Sequence, residues 1–230
     1  MLYNVPWQAL NTEHAHFAIG NSKARKYPAD VAPFAGTVDS SRESFLELRS
    51  ILAPGEAVYV EAASVPQIPE LEVGDSLPAL QMIAPGPPPA PQDERNHGPA
   101  IVLLSAADAQ AMLDLTAIAF PGFFRARTHE MGTYFGIRIE GELIAMAGER
   151  MALPGHREIS GVCTHPAHTG RGYAASLIAH LMRRHASLGL ISFLHVGVSN
   201  TRALALYQRL GFALVNEICL YCITPRPMPK

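Results

Sequence analysis

The sequence predicts an α/β protein built on a mixed, mostly antiparallel sheet with helices on its faces. In the second half of the chain, amphipathic helical segments alternate with short apolar segments typical of strands. Glycine or proline separates most of these segments. Of the 230 residues, 48% are hydrophobic and 17% are charged, a composition that excludes global disorder.

Residues 1–84 predict a smaller α/β domain without a catalytic motif. Its regular segments are one helix and two strands, over residues 40–52, 56–62 and 79–83. Ser40 and Glu43 fit a capping box at the start of the helix. Proline and charged residues fill the stretch 85–99, which predicts an extended linker. We therefore expect the region before the linker to be dispensable for ligand binding.

The domain over residues 100–230 has a clearer pattern. Helices are predicted over 105–120, 172–189 and 201–210, and strands over 133–140, 143–151, 158–164, 190–198 and 212–223. Ser105 and Asp108 fit a capping box at the first helix. Gly141 marks a hairpin turn, and Gly189 and Gly211 end the two later helices.

The charge is unevenly distributed along the chain. The formal net charge is −2, but residues 1–98 carry −6 and residues 99–230 carry +4. The sequence has no Asp or Glu between Glu158 and Glu217. Such an asymmetry suggests an anionic ligand for the second half.

The sequence favours a cytoplasmic protein. Its apolar runs are too short to span a bilayer, and its first residues lack the pattern of a secretory signal. Three cysteines, Cys163, Cys219 and Cys222, suit a reducing compartment. Cys219 and Cys222 have no second cysteine pair with which to form a zinc site, so we expect no metal. Nucleic acid is not an expected partner, because the arginines are not interleaved with a recognition motif.

A strand, a loop with Gly170 and Gly172, and a helix form the motif most suggestive of chemistry. The unpaired N–H groups of a helix N-terminus bind phosphates, and glycine lets the backbone approach them. Arg171 adds a charged contact. The pattern also matches a dinucleotide fingerprint, but the acidic residue expected about 20 positions later is missing. A tight turn that merely needs glycine remains the alternative.

Two motifs resemble those of the GNAT superfamily of acyl-CoA-dependent N-acetyltransferases. Residues 169–174 (TGRGYA) match the phosphate-binding signature except that Thr169 replaces Arg or Gln. Residues 200–212 (NTRALALYQRLGF) match the motif near the end of the family fold. The resemblance covers residues 101–222. The segments at residues 162–166 (VCTHP) and 193–196 (FLHV) are similar in sequence to the glycine N-acyltransferase-like branch of the superfamily. In that branch the region before the linker looks like a diverged partial copy of the fold.

The resemblance implies acetyl-CoA as co-substrate and assigns residues to it. The cofactor-binding residues are expected to be Val162, Cys163, Thr164, His168, Thr169, Gly170, Arg171, Gly172, Tyr173, Ala174 and Asn200. Tyr207 is expected to protonate the leaving thiolate, with core packing as its alternative role. Cys163 lies an odd number of residues from Glu158, so on a regular strand the two side chains point to opposite faces. Cys163 is therefore expected to be a small buried hydrophobe rather than a nucleophile.

Glu158 lies six residues before Thr164, a spacing that resembles that of the strand glutamate used as general base in histone-type members of the superfamily. The resemblance implies that Glu158 is the general base, directly or through water. On a regular strand the two residues also share a face. A solvated carboxylate at a strand edge is the alternative.

The expected acceptor is a small-molecule amine, such as an amino acid. Candidate wall residues are Phe120, Phe123, Phe124, Arg125, Arg127, His129 and Tyr221. A catalytically silent acyl-CoA-binding or regulatory module remains the alternative function. The sequence leaves the oligomeric state open.

Overall fold

The computed structural model describes residues 2–89, 99–119 and 121–227. Its helices are α1 (Val5–Asn11), α2 (Arg42–Ile51), α3 (Ala109–Ala119), α4 (Tyr173–Ser187) and α5 (Thr201–Arg209). Its strands are β1 (Ile19–Gly20), β2 (Ala24–Lys26), β3 (Phe34–Thr37), β4 (Val58–Glu61), β5 (Leu71–Ala84), β6 (Ile101–Leu104), β7 (Tyr134–Ile139), β8 (Glu142–Leu153), β9 (His156–Thr164), β10 (Ile191–Gly197) and β11 (Ala213–Pro225).

All eleven strands of the described residues form one sheet, in the order β1-β2-β3-β4-β11-β5-β10-β9-β8-β7-β6. The β3–β4 and β9–β10 pairs are parallel and the other pairs are antiparallel. The predicted fold class, a mixed and mostly antiparallel sheet with helices, is confirmed.

The sheet continues across the boundary predicted after residue 84. Strand β5 belongs to the first half, yet it pairs with β10 on one edge and with β11 on the other. Residues 1–84 therefore complete the sheet of the second half rather than forming a sheet of their own. Most of the predicted linker, residues 90–98, lies outside the described residues.

The two faces of the sheet carry different hydrophobic clusters. The α4 cluster contains buried residues of α4, α5 and the central strands: Met82, Ile159, Leu177, Ile178, Leu181, Met182, Leu194 and Tyr207 are among them. The α1 cluster contains Val5, Leu10, Tyr27, Phe34, Met151 and Phe193, with Phe123 packed against it. Phe193 and Leu194 are neighbours on β10, and neighbouring residues of a strand point to opposite faces. The two clusters therefore lie on opposite sides of β10.

Helix starts agree in part with the capping patterns. Ser105 and Asp108 form the predicted capping box, which opens a short 3₁₀ turn before α3. At α2 the cap is Ser41 rather than Ser40, since the Ser41 hydroxyl accepts a hydrogen bond from the Ser44 N–H. The sequence offered two adjacent serines, and both satisfy the preference for a small polar cap.

Within the described ranges, no helix has both the length and the apolar composition needed to cross a membrane.

The position of β5 leads to a different prediction from the sequence patterns, which predicted that residues 1–84 are dispensable for ligand binding. Met82 and Gln81 of β5 are fully buried, and removing the strand would leave the facing edges of β10 and β11 unpaired. We predict that a chain limited to residues 99–230 is unfolded or insoluble, as measured by circular dichroism and size-exclusion chromatography.

Co-expression of residues 1–89 with residues 99–230 should restore a folded complex. A folded monomer of residues 99–230 that binds CoA by itself would contradict this prediction.

Candidate functional site

The site begins where two parallel strands separate. β10 pairs with β9 through three residue pairs, the last of which is Phe193 with Glu158. Beyond this point β9 continues to Thr164 along β8, while β10 continues to Gly197 along β5. Two strand edges therefore face each other across a gap, and within residues 2–89, 99–119 and 121–227 their backbone groups on that side have no strand partner.

A cleft of about 800 Å³ occupies this gap. Its lining includes Val162 and Tyr207, which pack in the α4 cluster, and Phe34 and Phe123 of the α1 cluster. Because these clusters lie on opposite faces, the cleft runs through the sheet. A ligand entering from one face can therefore meet a ligand entering from the other.

One end of the cleft is formed by the loop between β9 and α4. Gly170 and Gly172 both have left-handed backbone angles, with φ of 80° and 81°, and Gly172 is the N-cap of α4. Apart from each glycine's own chain neighbours, no atom of the described residues lies within 4 Å of a Cβ built at Gly170 or Gly172, so the space in front of the loop is open. The first N–H groups of a helix have no intrahelical partner, and the helix dipole is positive at this end. These properties suit an anionic group.

The charges around the cleft have one sign. Four arginines line it, namely Arg150, Arg171, Arg202 and Arg209. No Asp or Glu is among the lining residues in the described part of the chain. The side chains of Arg171, Arg202 and Arg209 are exposed, so they contribute a positive field at the cleft mouth.

Helix α5 contributes Asn200 and Tyr207 to the cleft. Asn200 is the N-cap of α5, and its side-chain oxygen accepts a hydrogen bond from the Ala203 N–H at 3.1 Å. Its amide nitrogen remains available to a ligand. Tyr207 is 9% exposed and packs edge-on against Phe212. Burial raises the pKa of Tyr207 to about 12, so the phenol keeps its proton at neutral pH.

A β-bulge changes which residues of β9 face which side. The register with β8 moves from Gly148–Ser160 to Met146–Cys163, so β9 has one residue more than its partner. As a result Ile159 and Val162 both pack in the α4 cluster, although they are an odd number apart. The alternation predicted for Glu158 and Thr164 is therefore wrong, since the bulge places Thr164 on the face opposite Glu158.

Cys163 shares a face with Glu158, also contrary to the predicted parity. It packs with Tyr134 and Met146 beside α3 and is 5% exposed. Burial raises the pKa of its thiol to about 12. A thiol that stays protonated is a poor nucleophile, which agrees with the expected packing role.

Glu158 is fully buried and does not reach the cleft surface. Its carboxylate accepts two hydrogen bonds from Arg150, at 2.9 and 2.5 Å, one from the Met151 N–H at 3.1 Å and one from the His195 Nδ1 at 2.7 Å. Burial alone would raise the pKa of Glu158. The charges and hydrogen bonds of Arg150 and His195 outweigh burial and lower this pKa to about 2.

His195 extends this network through the sheet. Its Nε2 lies 3.0 Å from the Gln81 amide nitrogen, and the Asn216 amide donates to the Gln81 oxygen at 3.1 Å. The series of side chains therefore connects Glu158, through His195 and Gln81, to Asn216. Arg150 and His195 both line the cleft, whereas Glu158 holds them from behind.

The structure brings together nearly all of the residues predicted for the site. Twelve of the thirteen line the cleft: Val162, Cys163, Thr164, His168, Thr169, Gly170, Arg171, Gly172, Tyr173, Ala174, Asn200 and Tyr207. Glu158 is the exception. Their chemical roles stay predictions.

Most of the residues predicted for the acceptor wall are absent from the described lining of the cleft. Phe123 lines the cleft, Phe120 lies outside the described residues, and the other five candidates are absent from the described lining. Phe34, Arg150 and His195 were missed. Arg150 and His195 are polar residues inside apolar strand segments. A polar residue in such a position is a sequence signal that could have identified both as site candidates. Phe34 has no such signal. It reaches the cleft only because β3 pairs with β4 and β4 pairs with β11.

Among the residues described, no group of three or more His, Cys, Asp or Glu side chains is placed to hold a metal ion.

Comparison with known proteins gives a consistent family. The family model of the GNAT acetyltransferases matches residues 104–212. An N-alpha-acetyltransferase, RimI, from Mycobacterium tuberculosis is 32% identical over 124 residues, which cover 49% of this chain and 77% of that protein.

Two solved structures extend the similarity to the whole chain. A GNAT-family protein from Novosphingobium aromaticivorans is 31% identical, with a TM-score of 0.87 over 97% of this chain and 98% of that one. A GCN5-related N-acetyltransferase from Kribbella flavida shares the fold, with a TM-score of 0.66 and 15% identity over 99% of this chain and 98% of that one. The glycine loop before α4, the cleft through the sheet and these similarities lead to one conclusion: the chain is an acetyltransferase of the GNAT family.

Proposed function

We propose that the protein transfers an acetyl group from acetyl-CoA to the α-amine of an amino acid or peptide. The observation that supports this most directly is the cleft through the sheet. One of its faces has an anion-binding loop, and the other has an aromatic wall. The two substrates approach from these two sides and meet where β9 and β10 separate.

Acetyl-CoA fits the side of the cleft that faces α4 and α5. Its phosphates match the loop of Gly170 and Gly172, the first turn of α4 and the exposed arginines. His168 lines the same region, and its buried Nδ1 lacks a hydrogen-bond partner in the described structure. A ligand group at this nitrogen would satisfy it. The extended thioester arm fits between the unpaired edges of β9 and β10, where backbone groups are free to bind amides.

The reaction joins the acceptor nitrogen to the acetyl carbon and breaks the bond between that carbon and sulfur. The electron pair of the broken bond goes to sulfur, and the resulting thiolate needs a proton. Tyr207 is placed on the α5 side of the cleft and holds its proton at neutral pH, so we assign it as the proton donor. The amine loses one proton to solvent. The Tyr207 phenolate then takes a proton from solvent and becomes a phenol again.

Glu158 has a different role from the one expected from the sequence. A general base needs contact with the amine and a pKa near the working pH, and the buried Glu158 carboxylate with a pKa of about 2 meets neither condition. We propose that it is a positioning residue, which fixes Arg150 and His195 at the cleft surface.

An α-amine suits a site of this kind. At pH 7.4 about a fifth to a third of peptide α-amines are neutral, against about 0.1% of lysine side chains. An α-amine therefore needs little help from a base, and the neighbouring arginine charges favour its neutral form further. The name of the M. tuberculosis relative, N-alpha-acetyltransferase, agrees with this acceptor class.

Gly172→Asp is expected to weaken CoA binding about 100-fold or more, because a carboxylate enters the region where the phosphates bind. Isothermal titration calorimetry with CoA measures this. Gly189→Asp is the matched control, since Gly189 also has positive φ, lies just beyond the other end of α4 and has open space around it. Equal CoA affinity in wild type and Gly172→Asp would contradict the site.

Tyr207→Phe is expected to lower kcat about 100-fold while leaving CoA affinity unchanged, because the ring and its packing remain and the proton is lost. Release of free CoA from acetyl-CoA, measured with a mixed amine panel, reports kcat. Tyr173→Phe is the control, since Tyr173 also lines the cleft but has no assigned proton transfer. CoA binding without turnover of any amine by the wild type would favour a silent binding module instead.

Glu158→Gln is expected to destabilise the protein by about 3 kcal/mol, because it leaves Arg150 buried without its counter-charge. Glu130→Gln removes the same kind of two-point contact from exposed Arg127 and should cost less than about 1 kcal/mol. Urea unfolding measures both.

The pH dependence of this loss has a defined direction. The lowered pKa of Glu158 stabilises the fold above about pH 4.5, and this contribution disappears as the pH falls toward 2. The difference between wild type and Glu158→Gln should therefore shrink over that range. A fully stable Glu158→Gln variant whose rate profile loses its acidic limb would instead identify Glu158 as the base.

A further inference from the structure

Both halves of the chain contribute apolar residues to the acceptor side of the cleft. Phe34 of β3 and Leu77 of β5 line it, together with Phe123 and Leu220 from the second half. All four are apolar. The acidic first half of the sequence therefore contributes to an apolar wall next to the place of reaction.

Two phenylalanine rings of this wall stack on each other. The rings of Phe34 and Phe123 are nearly parallel, at 15°, with centroids 5.9 Å apart. Phe123 also contacts the ring of Tyr59 at 5.0 Å, which supports it from the side of β4. Stacked rings held from behind keep a fixed shape, so they present a constant apolar surface to a ligand.

Arg150 adds a single oriented charge to the wall. Its guanidinium carbon lies 4.6 Å from the centre of the Phe34 ring, and its Nε and Nη2 bind Glu158. Nη1 has no role in this ion pair. Because the plane of a guanidinium is rigid, two fixed nitrogens also fix the direction of the third. Nη1 therefore remains as a directed donor at the edge of an apolar surface.

We infer that Phe34, Phe123 and Arg150 form an acceptor subsite for an α-amine that carries an apolar side chain and a neighbouring carbonyl oxygen. The side chain packs against the two rings, and Nη1 donates a hydrogen bond to the carbonyl oxygen. That oxygen belongs to either a peptide bond or a free carboxylate. The inference rests on the proposed acetyl transfer.

A panel of acceptors tests the subsite on the full-length protein. Leucine, phenylalanine, alanine, aspartate and lysine are supplied as free amino acids, as amides and as the first residue of tripeptides. We expect kcat/KM for leucine and phenylalanine to exceed that for alanine and aspartate at least tenfold or so. Isopentylamine, which is leucinamide without its carbonyl group, should be acetylated at least about tenfold more slowly per neutral amine.

The panel also distinguishes the two sources of the oxygen. A preference for free amino acids identifies the carboxylate, and a preference for amides and tripeptides identifies a peptide amino terminus. Equal rates for all side chains, or a preference for aspartate or lysine, would overturn the inference. Acetyl transfer to no amine at all would instead contradict the proposed function.

Matched substitutions assign the effect to the wall. Phe34→Leu and Phe123→Ala should reduce the preference for phenylalanine over alanine about fivefold or more, with an unchanged KM for acetyl-CoA. Phe45→Leu removes an equally buried ring of the first half in a cluster away from the cleft, and it should leave the preference unchanged. Arg150→Lys should lessen the advantage of leucinamide over isopentylamine. If Phe34→Leu and Phe45→Leu have the same preference as wild type, the wall does not select the acceptor.

Discussion

The separation of β9 and β10 after three residue pairs is the constraint on which the site depends. Parallel strands that stayed paired to their ends would close the sheet and leave no passage between its faces. Because β10 follows β5 and β9 follows β8, each strand keeps one satisfied edge while the other edge is open. The backbone cost of leaving these groups unpaired is acceptable only where a ligand or water binds them. The gap is thus the part of the sheet where β9 and β10 lack backbone hydrogen bonds to each other. For the same reason it is the part whose backbone groups can bind a ligand.

The Arg150–Glu158 pair lies at the closed end of this gap. A buried ion pair is weak evidence for stability, since the cost of removing two charges from water can equal their attraction. Here the pair has a second effect, because it keeps the only carboxylate of β9 away from the cleft surface and turns a cation toward it. The electrostatics of the cleft therefore depend on a residue that does not line it. The spacing of Glu158 in the sequence could not reveal that its carboxylate is paired with Arg150 inside the protein.

Sequence patterns predicted the second half of the fold well and the first half poorly. Residues such as Leu177, Ile178 and Leu181 repeat with helical spacing, and the glycines around Arg171 fix a local backbone shape, so short windows contain the information. The parity of β9 failed because a bulge at Ser160–Val162 depends on the pairing with β8 rather than on its own residues. Phe34 and the insertion of β5 were missed for a similar reason, because contacts between distant segments have no local pattern.

The insertion of β5 has a consequence for folding. This strand ends at residue 84, yet its two partners begin at residues 191 and 213, so the centre of the sheet forms through contacts of long sequence separation. During synthesis β5 is complete well before either partner, and it must stay unpaired until more than 100 further residues have emerged from the ribosome. Such a topology slows folding and leaves an apolar strand exposed to other chains. The arrangement that lets both halves line one cleft therefore leaves the nascent chain open to aggregation until its last strands have been made.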